Sequence, residues 1–213
     1  EYRELFPTMI ESWRTVWSER RGETIKLPFY FVQLPNYRQR KAKPTESSWA
    51  DLREAQRLTL DRVPQTGMAV TIELGDPADI HPTNQLPVGE RLARLALAEH
   101  YGGDASRAYA PRPATTMLDS DGNVRVRFTN ATDLATPTGD ARVVGFELAG
   151  DDRAFVYAEA AISGDGDVRI TSPTIKIPAY VRYLWQDNPP PSLVNAAGLP
   201  ATPFELRVEP MAE

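Results

Sequence analysis

The sequence contains no cysteine and only two histidines among its 213 residues. Without thiols the chain forms no disulfide bonds and offers no thiolate ligands to a metal ion. Two histidines are also too few for the usual zinc sites, so we expect neither a metal nor another cofactor. A histidine placed in a loop between regular elements is then a prominent candidate for chemistry.

The sequence also lacks an excess of basic charge. Lys and Arg number 24 against 29 Asp and Glu, which gives a net charge of -5 and a pI near 5.2. Nucleic acid is therefore not expected as a partner, because its binding requires a positive field. No apolar run reaches the ~18 residues of a membrane helix, so no membrane span is predicted. The chain opens at Glu1 without a signal-peptide pattern, and we expect it to be trimmed or part of a longer protein.

Helical patterns and short apolar runs alternate in the first half of the chain. Apolar residues recur at helical spacing in residues 1–21, 48–60 and 84–101. Between these stretches lie two apolar segments, residues 27–34 and 68–74, that are typical of buried strands. This order predicts a parallel sheet with helices on its faces. Two strands are too few for such a domain, so further strands are expected before Glu1 or in another chain.

The loop of residues 76–82 follows the second predicted strand, which ends at Gly75. Such loops lie at the carboxyl edge of α/β sheets, where ligands bind. His81 follows Asp79 by two residues, and the pair can form the base and the orienting acid of a serine hydrolase triad. The structural alternatives are a histidine bonded to backbone and an aspartate that caps the next helix. Gln33, at the end of the first strand, is either a substrate contact or an ordinary amide.

Short stretches with alternating apolar residues replace the helical spacing after Gly103. Such alternation marks residues 123–129, 143–149, 154–162 and 168–177, with glycine-containing turns between them. This pattern is typical of an antiparallel sandwich. We therefore predict an α/β domain at 1–103 and a β-sandwich-like accessory domain at 104–213. The boundary would fall in a linker rich in Pro and Ala, near residues 103–115.

Several blocks of the sequence resemble one enzyme family. The central block reads Asp79-Ile80-His81-Pro82-x-Asn84-x-x-Pro87-x-Gly89-x-Arg91-Leu92. Further blocks are Trp13-Arg14-x-x-Trp17, Pro28-Phe29-Tyr30-Phe31-Val32-Gln33-Leu34, Trp49-x-x-Leu52-Arg53-x-x-Gln56 and Asn195-x-x-Gly198-Leu199-Pro200. Together they are similar to the sialate O-acetylesterases and related carbohydrate acetylesterases, a branch of the SGNH hydrolases. The likeness covers most of the chain.

The resemblance implies a serine esterase that removes acetyl groups from sugar hydroxyls, with His81 and Asp79 in its triad. Residues 1–103 would then be the C-terminal part of an SGNH or flavodoxin-like three-layer sheet domain. The family's nucleophilic serine lies in an N-terminal Gly-x-Ser block, which this sequence lacks. We expect a missing N-terminal segment to supply the serine and the oxyanion hole.

The resemblance also bears on the triad acid, the substrate and the location. The broader superfamily places its aspartate three residues before the histidine, and this sequence has Ala78 there. Asp79 is therefore the preferred acid, and Asp76 is the alternative. The substrate implied is an acetylated carbohydrate, either sialic acid or a hemicellulose, and the location implied is periplasmic or extracellular.

A glycan-binding or scaffold module without catalysis is the alternative function. The aromatic residues of the last third support it, since Trp185 with Arg182 and Tyr183 could offer a surface for sugar stacking. A tryptophan in an alternating strand is, however, usually part of the core. Trp49 and Arg53 lie on the second helix and are interpreted as packing or surface residues.

Overall fold

The computed structural model describes residues 1–210, in which helices and parallel strands alternate before a run of antiparallel strands. The helices are α1 (Tyr2–Arg21), α2 (Ser48–Arg62) and α3 (Leu86–His100), and the strands between them are β1 (Phe29–Val32) and β2 (Thr66–Ala69). This is the predicted order. No helix within these residues is long and apolar enough to cross a membrane.

The strands β1 and β2 pair in parallel, with Phe29 opposite Thr66 and Val32 opposite Ala69. Both are shorter than the apolar segments predicted as strands, because the chain after Ala69 leaves the ladder and turns. In that turn the Leu74 N–H donates to the Thr71 carbonyl at 3.0 Å. The predicted parallel pairing is confirmed, and the carboxyl ends of the two strands lie at one edge of the sheet.

Helices cover both faces of this sheet, as the alternation of side chains along a strand requires. Phe31 of β1 meets Phe6 of α1 edge-on, with ring centroids 4.9 Å apart. Tyr30 points the other way, toward His100 at the end of α3. Gly22 ends α1 in the left-handed conformation, with φ of 69°, which glycine adopts readily. Ser47 caps α2 by accepting the Ala50 N–H at 3.0 Å.

The remaining strands form two antiparallel sheets. One has the order β3-β4-β9-β8-β5, and the other has the order β11-β10-β6-β7. Their bounds are β3 (Arg112–Leu118), β4 (Val124–Thr129), β5 (Arg142–Val143), β6 (Phe146–Ala149), β7 (Val156–Tyr157), β8 (Glu159–Ile162), β9 (Val168–Thr171), β10 (Tyr180–Tyr183) and β11 (Phe204–Arg207).

The two antiparallel sheets share an apolar core. Phe128 of β4 contacts Phe204 of β11 across it, with ring centroids 5.9 Å apart. The predicted class, a mixed α/β part followed by antiparallel sheets, is confirmed. Buried side chains of the first part, such as Ile10 and Ile72, belong to the same continuous cluster as those between the sheets. The domain boundary near residue 103 stays a prediction.

Two segments predicted as single strands each contribute to both antiparallel sheets. Residues 143–149 divide between β5 and β6, and residues 154–162 divide between β7 and β8. Gly145 makes the first division possible, because its φ is 92° and a Cβ there would lie 2.6 Å from Leu184 Cδ2. Residues 175–177 lie outside the strands, so the prediction that they are extended was wrong. The strand β3 begins at Arg112, inside the predicted linker.

Candidate active site

The loops that follow β1 and β2 are joined by a close backbone contact. The Gly75 N–H donates to Asn36 Oδ1 at 2.7 Å, and a Cβ at Gly75 would lie 1.8 Å from the Asn36 carbonyl oxygen. No residue other than glycine fits this approach. The polar residues that follow the two strands are thereby held at the same edge of the sheet.

His81 and Asp79 lie side by side on the exposed surface of the loop after β2. Their side chains are 90% and 60% exposed, and His81 Nδ1 lies 3.6 Å from Asp79 Oδ1. This distance is slightly beyond hydrogen-bond range. The same Asp79 oxygen accepts the His81 backbone N–H at 2.8 Å, which is an Asx turn. The local turn therefore places the carboxylate next to the imidazole.

The rest of the loop is braced by its own side chains and by α3. Asp76 Oδ1 accepts the Ala78 N–H at 2.7 Å, at the start of the loop. Of the two candidate acids, Asp79 lies within 4.0 Å of a His81 ring nitrogen, whereas Asp76 does not. Arg91 of α3 donates to the Val70 carbonyl and pairs with the carboxylate of Glu73, just before the loop. These contacts fix the start of the loop.

Gln33 is completely buried between the sheet and α2. Its backbone N–H continues the β1–β2 ladder by donating to the Ala69 carbonyl at 2.9 Å, and its Nε2 donates to the Arg53 carbonyl at 3.4 Å. Its Oε1 has no hydrogen-bond partner within the described part of the chain. The amide is covered by α2, and the substrate contact proposed for it stays a prediction.

Arg53 of α2 holds the strand-end loops together. It is completely buried and donates to four backbone carbonyls, those of Leu34 at 2.9 Å, Pro35 at 2.7 Å, Gln186 at 2.6 Å and Asp187 at 2.8 Å. Burial lowers the pKa of this guanidinium to about 9, although the Asp187 charge opposes the shift. The arginine therefore joins the loop after β1 to the segment after β10.

The sequence analysis placed Arg53 among packing or surface residues and missed this clamp. A signal was present in α2, where Arg53, Glu54, Gln56 and Arg57 form a nearly continuous polar stretch that is buried in the structure. Glu54 and Arg57 pair with each other at 2.7 Å. A helix with so many charges and so few long apolar residues can only be buried if each polar group finds a partner. Such a pattern is a reason to expect layers on both sides of the helix.

His81 and Asp79 are the residue types that form the acid–base half of nucleophilic catalysis. An imidazole beside a carboxylate can take a proton from an approaching alcohol and return it to a leaving group. Within residues 1–210 no hydroxyl group is hydrogen-bonded to the His81 ring. The same residues contain no cluster of acidic and histidine side chains that could hold a metal ion.

Three comparisons with known proteins were made. No family model matches the chain, and no curated protein matches it. Among solved structures, the chain is similar to a carbohydrate acetylesterase from Xanthomonas citri, with a TM-score of 0.83 and 39% sequence identity. The match covers 96% of this chain and 45% of that protein. The resemblance to carbohydrate acetylesterases predicted from the sequence is confirmed, and the chain spans less than half of the relative.

Proposed function

We propose that this chain, similar to part of a carbohydrate acetylesterase, belongs to an enzyme that hydrolyses acetyl esters on sugar hydroxyls by a Ser-His-Asp mechanism. The observation that carries the proposal is the 39% identity over 96% of the chain to that crystallised enzyme. Because the chain spans 45% of the relative, we assign the nucleophilic serine and the oxyanion hole to a segment upstream.

His81 acts as general base and then as general acid in the proposed reaction, and Asp79 orients it. The serine oxygen attacks the acetyl carbonyl as its proton passes to His81, and the imidazolium then gives that proton to the departing sugar oxygen. Water, activated by the same imidazole, cleaves the acetyl-serine ester and releases acetate. The 3.6 Å separation of the two side chains supports these roles, since catalytic hydrogen bonds tighten when substrate binds.

Exposed surfaces of the part that contains the parallel sheet support the proposal that an additional segment packs against it. The parallel sheet has two strands within the described residues, which leaves β1 with a free edge. Large apolar side chains are exposed on the helices that cover this sheet, namely Leu5, Trp13, Val16 and Trp17 on α1 and Leu86 and Leu97 on α3. Apolar patches of this kind are normally covered by other protein. Strands beside β1 and further helices beside α1 and α3 would complete a three-layer SGNH domain.

The substrate is proposed to be an acetylated carbohydrate, of the sialic acid or the hemicellulose type. Both follow from the resemblance to sialate O-acetylesterases and related enzymes, and so does the proposed periplasmic or extracellular location.

The test measures deacetylation of an acetylated sugar by the full-length protein. Because the base and its orienting acid both act on the reacting atoms, we expect His81→Ala and Asp79→Asn each to lower kcat at least about a thousandfold. The protein provides matched controls. His100→Ala removes the other histidine, which is exposed at the end of α3, and Asp76→Asn removes the alternative acid.

Both control variants should keep wild-type activity to within about twofold. Unchanged turnover in His81→Ala would reject the catalytic role of His81. The absence of deacetylation by the wild type would reject the esterase proposal and favour the alternative, a glycan-binding module. A loss in Asp76→Asn that exceeds the loss in Asp79→Asn would transfer the orienting role to Asp76.

A further inference from the structure

A cavity of about 330 Å³ lies between the four-stranded sheet and the loop of residues 37–47. Its walls are mostly apolar, and Tyr157 and Trp185 contribute aromatic surface to them. The volume is at the lower end of the range for small-molecule sites and is sufficient for one sugar ring. His81 and Asp79 do not line this cavity, so it is separate from the candidate active site.

Two buried polar atoms in the lining lack hydrogen-bond partners within residues 1–210. They are Glu147 Oε2 and Trp185 Nε1, and both residues are almost fully buried. Buried polar atoms without partners are rare in native proteins, because each loses its hydration without compensation. Glu147 and Trp185 thus make part of the cavity wall polar.

Within the part of the chain that the structure describes, the cation opposite Glu147 is already paired with other carboxylates. It lies opposite Arg182 in the β6–β10 ladder, but Arg182 Nε donates to Glu205 Oε2 at 2.7 Å and its two Nη atoms donate to Glu46 at 3.1 and 3.3 Å. Burial raises the pKa of Glu147 to about 8, and the charges of Glu46 and Glu205 add to the rise against the attraction of Arg182. At neutral pH the side chain is therefore mainly a carboxylic acid that can donate a hydrogen bond.

The mouth of the cavity is positively charged. Arg40, Lys41 and Arg142 line it, and Glu147 is the one acidic residue in the lining. In a chain with a net charge of -5, this is a local concentration of positive charge. The basic loop is held in place because the Lys41 N–H donates to Gln186 Oε1 at 3.3 Å. The rim is thus suited to an anion.

We propose that this cavity binds a sugar residue that carries a carboxylate, such as a hexuronic acid or a sialic acid. The sugar ring would pack on Tyr157, its hydroxyl groups would face Glu147 and the Trp185 indole, and its carboxylate would pair with the cations at the rim. The choice of a sugar rests on the proposed function, whereas the choice of an anion rests on the rim charges.

The site also has a structural connection to the candidate active site. Pro189 and Pro190 of its lining follow Asn188, whose Oδ1 accepts from Asn36 Nδ2 at 2.9 Å. Asn36 in turn holds Gly75 at the start of the loop that contains His81.

Isothermal titration of the full-length protein tests the site, with D-glucuronate, N-acetylneuraminate and D-glucose as probes. We expect one or both acids to bind and glucose to bind at least about fivefold more weakly, the effect of an exposed ion pair. The double variant Lys41→Gln/Arg142→Gln should lose that preference. Arg107→Gln, which removes an exposed arginine remote in sequence from the cavity, is the control and should bind as wild type.

The Glu147→Gln variant tests the role of the Glu147 carboxyl in the cavity. The charges that act on Glu147 are those of Arg182 on β10, Glu205 on β11 and Glu46 in the loop. Tyr157 of β7 lies opposite Glu147, and the rim cations are Arg40 and Lys41 of the loop and Arg142 of β5. Above pH 8 the ionised Glu147 would repel the bound carboxylate, so affinity for the acidic sugar should fall from pH 7 to pH 9. An amide keeps a donor and does not titrate, so in Glu147→Gln this fall should disappear.

Equal binding of glucose and the acids, or undiminished binding in the Lys41→Gln/Arg142→Gln variant, would overturn the proposal. So would the absence of binding of any of the three sugars. Binding of only one acid would support the site and identify the source of the carboxylate. The probes contain no ester, so their failure leaves the esterase proposal untouched, and an inactive or active His81→Ala variant says nothing against this site.

Discussion

Glu147 illustrates how a single buried residue can link folding to pH. The native protein keeps its carboxyl protonated up to about pH 8, whereas the unfolded chain releases the proton near the ordinary value of 4.5. Between these two values the native state binds more protons at this residue than the unfolded state. The stabilisation is fully present below pH 4.5 and is lost as pH rises toward 8.

We therefore expect Glu147→Gln to reduce the pH dependence of stability. In the wild type this group lowers the free energy of unfolding by up to about 1.4 kcal/mol per pH unit between pH 5 and pH 8. The glutamine does not titrate, so urea unfolding should show a smaller fall for the variant across that range. Glu159→Gln, an exposed substitution on β8, should keep the wild-type slope. Equal slopes for Glu147→Gln and the wild type would contradict the expectation.

Single residues were predictable from the sequence where their partners are close along the chain. His81 and Asp79 are two positions apart, and the turn that joins them is a local structure. The surroundings of Glu147 and Arg53 depend on residues more than thirty and more than a hundred positions away, such as Arg182 and Gln186. No local pattern in the sequence contains that information.

Among the secondary-structure elements, α2 has the most unusual surroundings. It packs on α1 and β2 on one side and on β11 on the other, so its polar residues are enclosed. Helical spacing predicted the helix correctly. It did not predict that its polar residues are buried, which they are because the antiparallel part covers that side.

The clamp made by Arg53 should be essential for the stability of these layers. Arg53→Met leaves the four carbonyls of residues 34, 35, 186 and 187 without their donor, and we expect a loss of at least about 3 kcal/mol in the free energy of unfolding. Arg53→Lys should recover only part of this loss, since one ammonium cannot reproduce the fork of a guanidinium. Chemical denaturation of the full-length protein measures both.

Arg20→Met on the exposed side of α1 is the matched control for Arg53→Met and should change stability by less than about 0.5 kcal/mol. If the two methionine variants were equally stable, the clamp would have no energetic role.

The strands show a different limit of prediction. Alternation identified residues 143–149 and 154–162 as extended, which is correct for most of them. It did not show that each segment leaves one sheet for the other, because side chains continue to alternate through such a corner. Gly145 marks one of these corners by its φ of 92°, but a glycine in a strand is equally compatible with a bulge.

At the scale of the whole molecule, the described chain has a well-covered antiparallel part and an incompletely covered parallel part. The buried aromatic residues between the two antiparallel sheets contrast with the exposed tryptophans of α1. Both features follow from the apolar patterns of the sequence, but only the structure shows which apolar residues are covered.

A substitution on α1 tests whether the rest of the full-length protein covers this face. Trp17 is 53% exposed in the chain, and we expect Trp17→Ser to lower the unfolding temperature of the full-length protein clearly more than that of the 213-residue chain. Ile177→Ser removes an even more exposed apolar residue of the antiparallel part and should be neutral in both. Equal, small effects of Trp17→Ser in the two proteins would show that this face remains in water.

The contact between Gly75 and Asn36 has a consequence for how the surface around His81 can change. Since not even a methyl group fits between the two backbones, any larger residue at position 75 would push the exits of the two strands apart. A change in the position of the His81 ring therefore has to come from the loop residues after Gly75, because the close contact with Asn36 does not restrict their number or identity.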